Sequence, residues 1–362
     1  MNWMYFHLRR VPRYRPVIMT GELQNRDQYP ELEAFAAPSE RLGPRVWRKL
    51  AGKRPYPSHL ARARGYQPVV LHSHFGYVGY DDLGLHEALG LPWLVAFYGA
   101  DVYLVGRRPE WRERYRRLFE RLDLAIALGP VMRDALIDLG CPPEKVAINP
   151  LGVDVEEIPH AERRLQPGER LEILFAGTFR EKKGVGYLLD AVGLLRDRGV
   201  SFRLHLVGDA SKRPTDAEEK ARILAALDRL ALGDDQLRRY PWLEFKDLLD
   251  LAMRSHIFVA PSVTAPSGDA EGTPAVILQM MTSGMPVVST RHSDIPLAFG
   301  PLSDRLVPER DPGALADRLT HYAENPGEIT ADGAAMRKRM LEEFDIRRCA
   351  GNLAALYDRV LA

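Results

Sequence analysis

The chain has 362 residues, 46% apolar and 27% charged, which excludes an intrinsically disordered segment and, at roughly 150 residues per domain, predicts two domains with separate cores. With 50 Lys and Arg against 49 Asp and Glu the formal net charge is +1, so no global field draws the protein to nucleic acid. Cys141 and Cys349 are the only two cysteines; they supply neither a disulfide framework nor a Cys-based metal site, which fits a reducing cytoplasm.

The charge is uneven. Residues 1–64 hold 13 Lys and Arg, Arg9, Arg10, Arg13 and Arg15 among them, against 5 Asp and Glu. Such a basic edge suits peripheral contact with anionic lipid at the inner face of the plasma membrane, each cation contributing about 1 kcal/mol; a solvated Arg-rich surface accounts for it equally well. No apolar run reaches the ~20 residues of a membrane span. The opening MNWMYFHLRRVPR lacks the apolar core of a signal peptide, so the expectation is a soluble protein, or one that rests on a membrane rather than in it.

Met4, Leu8 and Val11 recur at helical spacing ahead of the first strand-like run, so the chain reads as starting inside its first βα unit, without an opening strand. Strands are then predicted at 15–20, 68–73, 92–98, 123–128 and 145–149, with helices that include 109–121 and 131–139. The segment 151–170 is polar, carries two prolines and follows neither period, which predicts a linker. Beyond it, strands at 171–176, 202–207, 256–260, 286–290 and 304–307 alternate with helices at 184–198, 216–231, 245–253, 274–283, 313–323 and 331–344. Short apolar runs alternating with helices are the pattern of βαβ units on parallel sheets. The fold expected is α/β, two doubly wound domains spanning 1–155 and 156–345, with 346–362 as a terminal helix packing back on the first. Ligands of such folds bind at the carboxyl ends of the strands, here in a cleft between the domains.

Two runs in the second domain stand out. FAGTFREKKG, from Phe175 to Gly184, leaves a strand, turns at Gly177 and enters a helix with Arg180, Lys182 and Lys183 close together. Fixed cations beside free N–H groups at a helix start would hold a diphosphate, although a solvent-exposed basic loop would look the same. It is not a P-loop, because the glycine spacing and the Lys-Ser/Thr pair are missing. SGDAEGTPAVILQMMTSG, from Ser267 to Gly284, places Glu271 ahead of a helix that Pro274 suits, with Gln279 eight positions on, about 12 Å along a helical axis. Polar groups so spaced could grip the two ends of an extended ligand; helix capping by Glu271 and exposure of Gln279 is the plainer account.

In the first domain, LHSHFG and AFYGAD end consecutive strands. Alternation puts His72 and His74 on one face, a possible start for a metal site, but no third and fourth ligand is convincingly placed. Gly99 permits close approach and Asp101 could hydrogen-bond a hydroxyl. The helix RRPEWRERYRRLFER, from Arg107 to Arg121, is basic and amphipathic and is expected to pack on its own sheet, with membrane-surface contact as the minority reading. No Gly-x-Gly-x-x-Gly, His-Glu-x-x-His or Gly-x-Ser-x-Gly motif occurs,.

In order and spacing these runs, together with LGCPPEKVAINPLGVD, FRLHLVGD and SGMPVVSTRHSDIP, resemble the retaining glycosyltransferases of family 4, which have the GT-B fold. The wording looks most like the colanic-acid type that extends bacterial surface polysaccharides. The resemblance implies a nucleotide-diphosphate sugar as donor, a glycan or lipid-linked acceptor, no metal and no other cofactor. It implies that Lys183 grips the donor diphosphate with help from Arg180, that Glu271 contacts the donor sugar as the first acid of a Glu-x7-Glu motif, and that Gly272 and Thr273 offer backbone N–H groups. Gln279 falls at the second acid, which holds the ribose, and Gly177, Thr178, Gly208 and Pro274 complete the donor side. His74, Gly76, Tyr98, Gly99 and Asp101 fall on the acceptor side. Three positions depart from the family pattern: Thr178 stands where many relatives have arginine, Tyr98 replaces a histidine and Gln279 replaces a glutamate. A non-catalytic relative that binds nucleotide or glycan, or supports a partner transferase, is the alternative these departures raise.

Overall fold

A computed structural model describes residues 2–21, 32–36 and 57–362. The chain divides into two units, Met1–Gly152 with Ile346–Ala362, and Val153–Asp345.

In the first unit, α1 (Asn2–Leu8) precedes β1 (Val17–Thr20), which pairs in parallel with β2 (Glu33–Ala36) as a separate two-stranded sheet. After α2 (Pro57–Gly65), a four-stranded sheet is built from β3 (Leu71–His74), β4 (Trp93–Ala96), β5 (Leu124–Ala127) and β6 (Val146–Ile148) in that spatial order, all parallel. The crossovers carry α3 (Gly76–Leu89), α4 (Pro109–Arg121) and α5 (Pro130–Asp138). Strands β4 and β5 are buried throughout, as expected where both faces of a parallel sheet are covered. Helix α4 buries Tyr115, Leu118 and Phe119, so its apolar stripe serves its own unit. Lys145 donates from Nζ to the carbonyls of Phe119 and Leu122 at 2.9 and 2.8 Å, a cation closing the carboxyl end of α4.

The second unit is a five-stranded parallel sheet formed by β7 (Leu171–Ala176), β8 (Phe202–Val207), β9 (Leu237–Tyr240), β10 (Ile257–Ala260) and β11 (Val287–Ser289), in the order β11-β10-β7-β8-β9. Its helices are α6 (Val185–Asp197), α7 (Pro214–Leu230), α8 (Phe245–Ala252), α9 (Ala275–Thr282), α10 (Ile295–Phe299), α11 (Pro312–Glu324) and α12 (Pro326–Glu343). The chain moves outward from β7 to β9 and then returns to the other side of β7, so the topological switch point lies between β7 and β10, where doubly wound sheets take their ligands. The last helix, α13 (Ile346–Leu361), groups with the first unit; Ala350, Leu353, Ala354 and Tyr357 pack with Leu94, Ala96, Leu124 and Ile126 of β4 and β5.

Several expectations are corrected. Residues 304–307 are not a strand: Gly300–Arg305 coils as a short 3-10 helix and only Val307 bridges to Thr290. The segment 151–170 is not a free linker, because Ile158, Arg163 and Leu165 are buried in the second unit and the division falls at Gly152 and Val153. The Arg163 guanidinium donates to the Ala252 carbonyl and the Ser283 hydroxyl, where α8 and α9 end, so the segment is tied down by a buried cation on two helix ends. Strands β2 and β9 went unpredicted; β9 carries exposed Arg238 and Arg239, the polar dressing of a sheet edge. Of the basic stretch over 1–64, Arg26, Arg41, Arg45, Arg48, Lys49, Lys53 and Arg54 lie outside the described residues, while Arg13 pairs with Asp358 and Arg15 with Glu33. Among the described residues no helix is long and apolar enough to cross a membrane.

Candidate active site

The loops after β7 and β10 flank the switch point and are built into each other. Gly184, at φ +68°, closes the short turn Glu181–Lys183 and starts α6; a Cβ there would stand 1.9 Å from the Pro261 carbonyl oxygen. Only glycine fits both the left-handed backbone and that approach. The amide of Val263 donates to the Lys182 carbonyl at 2.9 Å, joining the loops a second time. Gly208 plays the equivalent part after β8, where a Cβ would meet the Gly177 carbonyl oxygen at 1.9 Å.

Charged side chains converge at this junction. Lys183 Nζ lies 3.0 Å from Glu271 Oε1, and Lys182 Nζ lies 3.5 Å from the same oxygen and 3.1 Å from Asp269 Oδ1. Lys182 also donates to the Ala270 carbonyl at 3.1 Å. Burial alone would push the Glu271 carboxyl up, but Lys183 and Lys182 outweigh it and hold the group down at about 2, so Glu271 is a carboxylate at any physiological pH. Arg180 is turned elsewhere: its guanidinium pairs with Asp216 at 3.3 and 3.1 Å, and Asp216 also accepts from the Ser211 hydroxyl. Burial works against the Asp216 anion, and the hydrogen bonds from Arg180 and Ser211 bring its carboxyl below the usual carboxylate range.

Gly272, Thr273 and Pro274 are buried between Glu271 and the start of α9, with Pro274 as its N-cap, and Gln279 is half-buried within that helix. Because α9 begins only at Ala275, the axial spacing of about 12 Å expected between Glu271 and Gln279 does not describe their separation. Gly177 and Thr178, directly after β7, are partly exposed.

The first unit's strand ends are neutral and aromatic. His74 Nδ1 meets the Tyr98 hydroxyl and His72 Nδ1 meets the Tyr357 hydroxyl at 2.7 Å, with the two imidazoles stacked 4.3 Å apart. Burial drives His7 and His74 down to about 4, and burial, with His74 and His7 nearby, also lowers His72 well below the ordinary imidazole range. Asp101 corrects its expected role. Its carboxylate accepts from the amides of Gly76, Tyr98 and Gly99 at 3.0, 3.0 and 2.9 Å and is wholly buried, so it shapes the loop rather than reaching a ligand hydroxyl. Gly76 is required by packing, since a Cβ there would lie 2.3 Å from the Phe97 ring. Among the described residues no group of three or more His, Cys, Asp or Glu could hold a metal ion.

Four residues of the junction escaped the sequence reading. Asp269, two positions from Glu271, carried a signal as a second acid in the same glycine-rich turn, whereas Asp216, which pairs with Arg180, and His292 and Glu309, which meet the Glu271 amide and each other, are brought in from distant elements and had no local signal.

Residues 8–157 match the family model described as Glycosyltransferase Family 4, and residues 170–325 match Glycosyl transferases group 1. The chain is 31% identical over 295 residues to WcaL of Salmonella typhimurium, provisionally a colanic acid biosynthesis glycosyltransferase, covering 80% of this chain and 70% of that protein. The chain belongs to glycosyltransferase family 4. Another relative, the amylovoran biosynthesis glycosyltransferase AmsK of Erwinia amylovora, is 31% identical over 290 residues, covering 79% of this chain and 69% of its own. The fold of this family 4 glycosyltransferase is similar to that of a Rickettsia africae glycosyltransferase at TM-score 0.78 and 15% identity, covering 99% of this chain and 94% of that one. Anabaena HepE, solved with UDP-glucose, is similar at TM-score 0.76 and 16% identity, covering 99% and 95%. These neighbours share the GT-B architecture of two Rossmann-like domains.

Proposed function

We propose that the protein moves a hexose from a nucleotide-diphosphate sugar to a polysaccharide or lipid-linked glycan, with retention of anomeric configuration, during assembly of a cell-surface polysaccharide. The observation that carries this reading is the meeting of Lys183 and Glu271 at the switch point of the second sheet, 3.0 Å apart, beside the start of α6. The sequence relatives named for colanic acid and amylovoran biosynthesis support the choice of acceptor class. The UDP and UDP-glucose complexes among the structural neighbours support the donor class.

In this reading the donor diphosphate takes Lys183 in exchange for the Glu271 carboxylate, and Glu271 turns to the sugar hydroxyls. The bond between the anomeric carbon and the diphosphate oxygen breaks, leaving negative charge on the phosphate and positive charge on the sugar. The acceptor oxygen attaches to the anomeric carbon on the face the phosphate leaves, and the departing phosphate oxygen takes the acceptor's proton. A lysine beside a helix start lowers the energy of the leaving group more than that of the bound substrate, which is the condition for acceleration. No paired catalytic carboxylates are needed, in contrast to glycoside hydrolysis. The carboxyl ends of β3 and β4, around His74, Gly76, Tyr98 and Gly99, serve the acceptor, while contact with anionic lipid through the basic first unit would bring the enzyme to a lipid-linked substrate.

The test is transfer from radiolabelled UDP-, GDP- and ADP-hexoses to membrane-extracted lipid-linked glycans, with the product's anomeric configuration read by NMR. One donor should be consumed with retention and without added metal. Inversion, or no turnover of any donor, would contradict the proposal.

A further inference from the structure

Beyond the residues that face the donor, the geometry points to His292 as a positioning residue, fixed as the Nδ1–H tautomer by Glu309, that holds the Glu271 loop by accepting from the Glu271 backbone amide. The imidazole follows β11 and its side chain is fully buried. Its Nε2 lies 3.0 Å from the amide nitrogen of Glu271. A backbone amide only donates, so Nε2 carries no proton. The proton must then sit on Nδ1, which lies 2.6 Å from Glu309 Oε1.

Glu309 does more than orient the ring. Its second oxygen accepts from the amide of Thr264 at 2.9 Å, and its neighbour Arg310 donates to the Thr264 carbonyl. One carboxylate thus ties the loop after β10 at its start directly and at Glu271 through the imidazole. A loop pinned at both ends keeps the Glu271 carboxylate 3.0 Å from Lys183 rather than leaving it to swing, and misplacing a group at the reacting centre by about 1 Å costs on the order of a hundredfold in rate. His292 touches no reacting atom in this account; it acts through Glu271. Its kinetic consequence rests on the donor-site reading above, whereas its tautomer is readable without any substrate.

The substitutions His292→Gln and His292→Asn separate positioning from simple packing. Glutamine reaches the place of Nε2 and keeps an acceptor for the Glu271 amide; asparagine keeps only the donor towards Glu309. The expected result is that kcat falls at least about tenfold more in His292→Asn than in His292→Gln, with matched thermal melts and unchanged nucleoside-diphosphate affinity. Equal losses in the two variants, or losses that follow the melting temperature, would overturn the proposal. Independently, two-bond proton–nitrogen NMR on the wild-type chain should show Nδ1 protonated and Nε2 bare at neutral pH. A proton on Nε2 overturns it even in a protein with no measurable transfer, while a correct tautomer in such a protein leaves the clamp standing and removes only the proposed donor role.

Discussion

The two units use the same βα architecture and bury opposite chemistry at their strand ends. At β7 and β10 the second unit collects Lys182, Lys183, Asp269 and Glu271, charges that survive burial because each meets an opposite charge within 3.5 Å. At β3 and β4 the first unit collects His72, His74, Tyr98 and Tyr357, all held neutral by burial, which takes the proton from the imidazoles and keeps it on the phenols. Stored cations beside a helix start suit a diphosphate, whereas neutral rings and phenols offer hydrogen bonds without a fixed charge. On the proposed function, the contrast divides donor from acceptor recognition between two parallel sheets, one running in sequence order and one with a switch point.

The largest effect should come from breaking the stored charge. Lys183→Ala and Glu271→Ala should each lower transfer by about a hundredfold or more, measured as kcat/KM for the donor; a loss under fivefold in both would erase the distinction between the units. Next is the scaffold that stores it. Gly184→Ala forces a Cβ onto the Pro261 carbonyl at a φ of +68°, and we expect a loss of at least about 3 kcal/mol in denaturant unfolding. Unfolding indistinguishable from wild type would mean that the two loops are not held together there.

Acid should open the units in sequence. His7 and His74 stay neutral in the folded state down to about 4 but take up protons near 6.5 when unfolded. Their contribution is therefore complete above pH 6.5 and is lost as pH falls through 4, on the order of 3 kcal/mol for a single ring. Glu271, held at about 2 against an ordinary 4.5, contributes fully above pH 4.5 and loses its contribution only as pH falls towards 2. Hydrogen exchange, corrected for intrinsic rates, should show peptides over 71–97 losing protection near pH 5 while those over 181–188, around Lys183, keep theirs; simultaneous opening would contradict the contrast. The smallest effect belongs to Asp101. Asp101→Asn replaces one acceptor oxygen with a donor facing amides, and about 1–3 kcal/mol should be lost in thermal unfolding, with donor affinity unchanged.

How much of this was legible depended on locality. Strands β7 and β8 were readable to the residue because continuous apolar runs carry their own signal, and α4 because its stripe and its proline start coincide. The strand expected at 304–307 failed because a short apolar run has no period to separate a single bridge from a strand. In the site, Lys183 and Glu271 stood in glycine-marked turns and could be singled out. Asp216, His292 and Glu309 could not, since their roles arise only when α7, the segment after β11 and the segment after the Val307 bridge are brought to the switch point. Asp101 misled for a related reason: a carboxylate after a strand looks the same in sequence whether it faces a ligand or three backbone amides.

Calorimetric titration of UDP, GDP and ADP into the full chain and into Lys183→Ala tests whether the charged junction holds the diphosphate. Binding of one nucleoside diphosphate by the wild type, weakened at least about tenfold in the variant, is the predicted result. Equal affinity in both would place the diphosphate elsewhere and contradict the assignment of the charged junction between β7 and β10.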